Sequence, residues 1–231
     1  MKKFLLVGLA LAICFLAALP AAADTVNWTQ WSQTFTTSSS AGSASGTSGS
    51  IGVTYSGELE TLMFNYPSWG PPGTFDGGTV SNAPPSAGGI IQLFGGASAA
   101  PIVNTITFSQ AVTNPVMAIW SLGQGGIESK FVFGPSEPFT IEAGGPSNEY
   151  SGSAIYSCDG GFTICGVEGN GTIQFNGTFT SISWTNPVFE NWYGFTVGTF
   201  EPTTRSEVPE PSSIALLASG LGSLGLIRRK R

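Results

Sequence analysis

Histidine is absent from this 231-residue chain, and basic residues are almost absent from its middle. Without histidine, the chain lacks the usual general base of serine and cysteine hydrolases and the commonest ligand of transition metals. Between residues 24 and 207 there are thirteen acidic residues but only two basic ones, a net charge of −11. Such a segment repels nucleic acid, and it repels acidic polysaccharide unless cations intervene. We therefore expect no nucleic-acid partner, no cofactor, no metal site and no enzymatic activity.

Cysteine is also scarce, with three in the chain. Cys14 lies in an apolar run near the N-terminus, which leaves Cys158 and Cys165 as an even pair. In an exported protein such a pair predicts a disulfide. A zinc site is the alternative, although two cysteines without histidine are too few ligands.

The N-terminus has the pattern of a signal peptide. Lys2 and Lys3 precede an apolar run over residues 4–19, and small residues follow. Ala21 and Ala23 fit the pockets of signal peptidase, so we expect the secretion translocon to export the chain and cleavage to follow Ala23. The alternative is an uncleaved membrane anchor.

The C-terminus has three successive parts: a proline-flanked glutamate in residues 208–212, an apolar stretch over 213–227 and a basic tail over 228–231. The first reads Val208-Pro209-Glu210-Pro211-Ser212, and the last reads Arg228-Arg229-Lys230-Arg231. A helix over residues 214–227 would be about 21 Å long, against about 30 Å for a hydrocarbon core. The pattern therefore predicts one marginal transmembrane helix, whose basic tail stops export and stays in the cytoplasm.

This C-terminal arrangement resembles the PEP-CTERM sorting signal. The resemblance implies that an exosortase, a membrane cysteine transpeptidase, recognises and processes the chain near Pro209-Glu210-Pro211. It also implies a Gram-negative bacterium that makes exopolysaccharide. The expected route runs from an inner-membrane-anchored precursor to the cell surface or extracellular matrix. A permanent single-pass membrane protein without processing is the alternative.

Residues 24–207 are long enough for one extracytoplasmic domain with its own core. Within them, residues 36–50 are only Ser, Thr, Gly and Ala. We expect this run to be an exposed loop or linker, or an O-glycosylation tract.

Short apolar runs separated by Gly, Pro and Asn, without a sustained helical period, predict strands in most of this segment. The sequence thus favours an all-β fold, a single antiparallel β-sandwich or jelly-roll-like domain between the signal peptide and the transmembrane helix. Candidate strands are residues 51–55, 58–65, 89–94, 102–108, 116–122, 130–133, 139–142, 171–175, 178–184 and 193–200.

The strongest turn signal is Asn176-Gly177. Because this dipeptide suits a type I′ turn, it predicts a β-hairpin of residues 172–175 with 178–180. Alternation would place Ile173 and Phe175 on the core and leave Thr172 and Gln174 in water.

Few residues suggest a binding or catalytic site. Glu58 and Glu60 are two apart in a predicted strand, so both would point the same way, as paired acids or calcium ligands do; a solvated strand face is the simpler interpretation. Trp69 lies in a Pro/Gly-rich loop and is the best candidate for an exposed ring that stacks on sugar, followed by residues 191–193. We expect Trp120, Trp184 and Trp192 to pack in the core.

These observations favour an exported surface or matrix protein with a non-catalytic structural or adhesive role linked to exopolysaccharide. The alternative is a carbohydrate-binding or carbohydrate-cleaving β-sandwich. An exposed ring face or two facing carboxylates would favour the alternative.

Overall fold

A computed structural model describes residues 24–36, 41–96 and 102–200. Within these ranges the chain is all-β, with sixteen strands and two three-residue 3₁₀ turns. The predicted signal peptide, transmembrane helix and basic tail lie outside the described residues. The strands in chain order are β1 (Val26–Trp28), β2 (Gln30–Thr36), β3 (Ala41–Ser48), β4 (Ile51–Glu58), β5 (Thr61–Met63), β6 (Ile90–Leu93), β7 (Val103–Thr113), β8 (Val116–Leu122), β9 (Ser129–Val132), β10 (Phe139–Gly144), β11 (Ser153–Ala154), β12 (Tyr156–Cys158), β13 (Thr163–Gly166), β14 (Gly169–Phe175), β15 (Thr178–Thr185) and β16 (Tyr193–Phe200).

The strands form two packed sheets of eight, which confirms the prediction of an all-β fold with two antiparallel sheets. Sheet one has the order β10-β14-β8-β16-β6-β5, with β1 on β16 and β11 on β14. Sheet two has the order β12-β13-β9-β15-β7-β4-β3-β2. All pairings are antiparallel except the two-residue contact of β11 with β14. Sequence neighbours therefore often lie in different sheets.

The main core fills the space between the sheets. Both sheets contribute large side chains to it, and the rings of Trp184 and Phe195 meet edge to face at 5.0 Å. Such interdigitation of two inner faces is what stabilises a sandwich. Further fully buried members of this core include Tyr55, Ile106, Phe131, Ile164, Ile91, Leu93, Ile119, Ile173, Phe175 and Tyr193.

A second core lies on the outer face of sheet one. The long connection between β5 and β6, residues 64–89, folds over this face and buries Trp69 and Phe75 there. Val116, Ala118 and Trp120 of β8 supply the sheet side of the same cluster. As a result, sheet one is covered on both faces, and every residue of β8 and β14 is buried.

The predicted hairpin at Asn176-Gly177 is wrong. β14 belongs to sheet one and β15 to sheet two, and Asn176 does not have the positive φ that a type I′ turn needs. The turn instead crosses between sheets beside the β7–β8 connection: Asn114 N donates to Gly177 O, and Gly177 N donates to Asn114 Oδ1. These paired crossings close one end of the sandwich.

The predicted exposure of the same segment is half correct. Ile173 and Phe175 do face the main core. Thr172 and Gln174, however, are buried, because residues 64–89 cover them: Thr172 Oγ1 donates to Phe75 O, and Gln174 Oε1 accepts from Thr79 Oγ1.

The Ser/Thr/Gly/Ala run is not the loop that its composition predicts. Residues 41–48 form β3, which pairs with β2 on one side and β4 on the other; residues 37–40 lie outside the described residues. Backbone hydrogen bonds to β2 and β4 hold β3 in the sheet. Its small side chains allow the neighbouring backbone to lie close to it. A Cβ at Gly46 would lie 2.4 Å from Gln30 O.

Candidate functional site

Loops from both sheets meet around a pocket of about 160 Å³. The end of β8 and the loop after it, the β13–β14 turn, the β15–β16 connection and the loop around residue 150 all contribute. We call it the acidic pocket, and its lining residues are Ser121, Gln124, Tyr150, Glu168, Glu190, Asn191 and Trp192. The lining combines two carboxyl groups, two amides, one hydroxyl and two aromatic rings.

Glu190 is the unusual ionisable group of the pocket, because its side chain is only 1% exposed. Its Oε1 accepts a hydrogen bond from Trp192 N at 2.9 Å, and its backbone N donates to Phe94 O. Burial, and to a lesser extent the charge of Glu168, raise the pKa of Glu190 to about 8, although the Trp192 hydrogen bond lowers it. Below that pH, Glu190 is a neutral acid that can both donate and accept hydrogen bonds.

Glu168 enters the pocket from the β13–β14 turn. Its Oε2 accepts from Ser121 Oγ at 2.7 Å. Both residues have positive φ, 51° for Glu168 and 56° for Ser121, which costs energy for residues with a Cβ. The fully buried Asn170 holds both in place: its Oδ1 accepts from Ser121 N, and its Nδ2 donates to Glu168 O. The backbone here is thus fixed in an uncommon conformation.

Four aromatic rings form one wall beside the carboxyl groups. Trp120 is buried at the centre, and its ring centroid lies 5.3 Å from that of Tyr66, 5.4 Å from Tyr150 and 5.8 Å from Trp192. Trp120 Nε1 donates to Glu149 Oε2 at 3.3 Å. Tyr150 is 43% exposed and Trp192 is partly buried, so these two rings present their surfaces to the pocket.

This combination suits a polyhydroxylated ligand. Exposed rings offer an apolar surface, while amides and carboxyl groups offer both donors and acceptors at fixed positions. The amide of Asn191 is itself oriented, because its Nδ2 donates to Gln124 Oε1 at 3.0 Å. Among the described residues, the group with metal-ligating atoms close together is Cys158, Asp159 and Cys165, and its two cysteines are joined to each other.

The structure confirms the disulfide between Cys158 and Cys165. Their Cα atoms are 6.1 Å apart, and the bond joins the paired strands β12 and β13 at the edge of sheet two. Lys130 Nζ lies 2.7 Å from Asp159 Oδ2, next to this bond. Neither cysteine lines the acidic pocket, although Cys165 precedes Glu168 by three residues in the chain.

Trp69 is not the exposed ring that its loop predicts. Its side chain is 3% exposed and packs edge to face on Phe75 at 5.0 Å, because residues 64–89 turn inward onto sheet one. Of the other ring candidates, Tyr193 is fully buried, whereas Trp192 does line the pocket. The core placement expected for Trp120 and Trp184 is confirmed, whereas Trp192, also expected in the core, is only partly buried at its edge.

Glu58 and Glu60 do not form the predicted pair. β4 ends at Glu58, and the predicted strand 58–65 is reduced to β5 (Thr61–Met63), which belongs to the other sheet. Glu58 is buried, and its Oε1 accepts from Phe94 N and Gly95 N, while Glu60 is exposed. Burial raises the pKa of Glu58, and its role is to satisfy these backbone donors.

Sequence reasoning missed Tyr150, Glu168 and Glu190. Their positions in the chain are far apart, and no motif joins them. The available signal for this pocket was Asn191-Trp192, which lies next to Glu190 directly before a predicted strand and was the second candidate for an exposed ring.

The sorting residues 208–211, the basic residues 228–231 and the cleavage-site residues Ala21 and Ala23 lie outside the described residues. Within the described part of the chain, no helix has both the length and the apolar character needed to cross a membrane.

Comparison with known proteins identifies the C-terminal segment. The family model for the PEP-CTERM protein-sorting motif matches residues 207–231. No curated protein and no solved structure matches the chain. The chain therefore carries a PEP-CTERM sorting motif, which supports an exported protein with a membrane-anchored precursor and an exosortase as its processing partner.

Proposed function

We propose that the protein is a non-catalytic cell-surface or matrix protein whose β-sandwich adheres to carbohydrate of the exopolysaccharide. The observation that carries this proposal is the acidic pocket on a chain with a sorting motif: two ring surfaces stand beside oriented amides and a neutral acid. The exosortase delivers the chain from an inner-membrane precursor to the cell surface, and the sandwich then holds a sugar unit.

The pocket favours a neutral sugar over an acidic one. Glu168 and Glu149 place acidic groups within or next to it, and the segment from 24 to 207 has a net charge of −11. An anionic ligand would meet like charge at short range, which disfavours binding. Neutral hydroxyl groups avoid this repulsion and use the same acceptors.

Cleavage of carbohydrate is the second candidate, because Glu190 and Glu168 pair a protonated acid with a second carboxyl group. Glycosidases place a protonated carboxylic acid and a second carboxyl group on either side of the scissile bond. Against it, Glu190 is almost fully buried and one of its oxygens is held by Trp192 N. Adhesion needs no access to a scissile bond and is therefore the better-supported function.

The sorting step is tested by intact mass and fractionation of the native protein from cells with and without their exosortase. We expect the tail to be removed in the first and retained in the membrane fraction in the second. A full-length tail of equal mass in both would contradict processing.

The adhesive function is tested by a glycan array with the exported protein. We expect Trp192→Ala and Tyr150→Ala to weaken binding of neutral glycans about tenfold each, because stacking on each ring is lost. The matched control is Thr61→Val, an exposed residue of β5 outside the pocket. Equal binding by all variants would contradict a site here.

The same samples distinguish adhesion from cleavage. We expect no new reducing ends from any bound glycan, and we expect Glu190→Gln to keep binding, since an amide still donates and accepts. Release of reducing ends that Glu190→Gln abolishes would establish cleavage instead.

A further inference from the structure

The outer face of sheet two carries two straight rows of hydroxyl side chains. The strand registers align each row across the four neighbouring strands β3, β4, β7 and β15. We call these eight residues the hydroxyl face: one row is Ser45, Thr54, Thr107 and Ser181, and the other is Ser43, Ser56, Thr105 and Ser183. Neighbouring strands are about 4.8 Å apart, and the two rows are about 6.7 Å apart along each strand. The face is therefore a regular array of hydroxyl groups.

A shallow groove of about 190 Å³ crosses this array. Gly52 leaves room there, because a Cβ on it would lie 3.3 Å from Ser109 Cβ, and Gly46 contributes only backbone to the groove. The groove is lined by Ser45, Thr54, Thr107 and Ser109, beside the two glycines. Threonine methyl groups and glycine backbone offer apolar surface next to hydroxyl groups, which matches the alternating C–H and O–H surface of a sugar ring.

Part of the hydroxyl face is available for a ligand, although Thr54 Oγ1 donates to Thr107 O at 3.5 Å. Thr105 and Ser183 bond to each other at 3.0 Å, but the side chains of Ser45, Thr107 and Ser181 have no protein hydrogen-bond partner among the described residues. Thr54, Thr107 and Ser181 are all exposed. Each free hydroxyl can donate one hydrogen bond and accept others.

Charge is missing from this part of the molecule. In the described strands β2, β3, β4, β7 and β15, Glu58 is the single charged residue, and it is buried at the end of β4. Exposed sheet faces and edges of soluble proteins ordinarily carry charge, which prevents association. The exposed acidic residues of the described part of the chain therefore lie outside these five strands.

These properties discriminate between classes of partner. Protein interfaces are enriched in aromatic residues and depleted in serine, which disfavours a protein or a second copy on this face. An anionic polymer would gain no cation here and would meet the acidic remainder of the domain. A neutral polysaccharide gains hydrogen bonds along both rows without repulsion.

We propose that the hydroxyl face is a docking surface for an extended neutral polysaccharide, separate from the acidic pocket. This inference rests on the proposed function only for the class of ligand, carbohydrate. The residues of the hydroxyl face are different from those of the acidic pocket. The pocket would hold one sugar unit, whereas the face would contact several units of a chain lying across the strands.

The test is co-sedimentation of the exported protein with cellulose, a neutral polysaccharide, and with alginate, an anionic one, coupled covalently to polystyrene beads and used without calcium. We expect binding to cellulose and not to alginate. The double variant Thr54→Val/Thr107→Val keeps the shape and strand propensity of both residues but removes two hydroxyl groups. It should bind cellulose roughly tenfold more weakly, because each hydrogen bond contributes modestly.

Two further variants keep the test decisive. Thr107→Glu puts a charge into the groove without disturbing the core and should also weaken cellulose binding, while the control Thr61→Val should not. Trp192→Ala should weaken binding of short neutral glycans on the array more than Thr54→Val/Thr107→Val does, and the double variant should weaken cellulose co-sedimentation more than Trp192→Ala does. The two readouts therefore distinguish failure of the acidic pocket from failure of the hydroxyl face.

Three results would overturn the proposal. One is equal cellulose binding by the wild type, Thr54→Val/Thr107→Val and Thr107→Glu. The second is preferential binding to alginate. The third is concentration-dependent self-association in analytical ultracentrifugation that the double variant abolishes, which would assign the face to a second copy.

Discussion

Sheet one and sheet two share one core but differ in what covers their outer faces. In sheet one, residues 64–89 cover the outer face, and β8 is buried at every residue from Val116 to Leu122. In sheet two, β4 and β7 alternate buried and exposed residues, as expected for a sheet with one side in water. Sheet one is thus packed on both faces, whereas sheet two is packed on its inner face only.

The difference decides what a polar side chain does. Thr172 in sheet one is fully buried and donates to Phe75 O, so it holds the covering loop. Thr107 in sheet two is exposed and makes no side-chain hydrogen bond within the described residues, so it is free for a ligand. Covering a face converts its polar residues from a binding surface into structural contacts.

The largest expected effect is from Trp120→Ala, which tests the second core. The indole packs against Tyr66, Tyr150 and Trp192 and is fully buried. Its removal therefore leaves a large cavity. We expect the free energy of unfolding to fall by about 3 to 5 kcal/mol in urea titration. Trp120→Phe is the control and should cost less. A loss below about 1 kcal/mol would mean that the covering layer adds little stability.

The pH dependence of stability is the next largest effect, and it tests the burial of Glu190. The pKa of Glu190 is about 8 in the folded protein against an ordinary value of 4.5. Stabilisation by the neutral acid is complete below about pH 4.5 and is lost as the pH rises towards 8, at up to about 1.4 kcal/mol per pH unit. Glu190→Gln should remove much of this slope in thermal denaturation between pH 5 and 8.

Glu58 provides the comparison for that experiment, because burial raises its pKa as well. Glu58→Gln should remove a separate part of the slope. A wild-type protein of constant stability from pH 5 to 8 would show that neither carboxyl group is buried as the structure has it.

The smallest expected effect compares one threonine from each sheet. Thr172→Val removes the hydrogen bond to Phe75 O and leaves that carbonyl buried, which should cost about 1 to 2 kcal/mol. Thr107→Val alters only an exposed side chain and should change stability by less than about 0.5 kcal/mol. Urea titration of both variants measures the difference. Equal losses would contradict the distinction between covered and open faces.

Several features were predictable because their physical causes are local. Alternation and turn residues predicted most strands from Ile51 onward, and an even pair of cysteines predicted the bond of Cys158 to Cys165. The predicted strand over residues 116–122 is β8, and Trp120 within it is buried as expected.

Other features depended on long-range contacts. Asn176-Gly177 has the chemistry of a hairpin turn, yet β14 and β15 pair with different neighbours, and the core contacts of each strand outweigh the preference of the turn. Residues 41–48 lack the bulk of an ordinary strand, but β2 and β4 supply both backbone partners. Trp69 does lie in a loop, but its predicted exposure was wrong because sheet one, which is distant in sequence, buries it.

The sequence by itself determined the PEP-CTERM motif at the C-terminus, the all-β class and the acidic, histidine-free character of residues 24–207. These depend on composition and on patterns a few residues long. Only the tertiary structure decided which faces are covered, that Glu168 and Glu190 meet beside Tyr150 and Trp192, and that the serines and threonines of four strands align in rows. The reason is that each of these is set by strand order and register, which bring together residues separated by many positions in the chain.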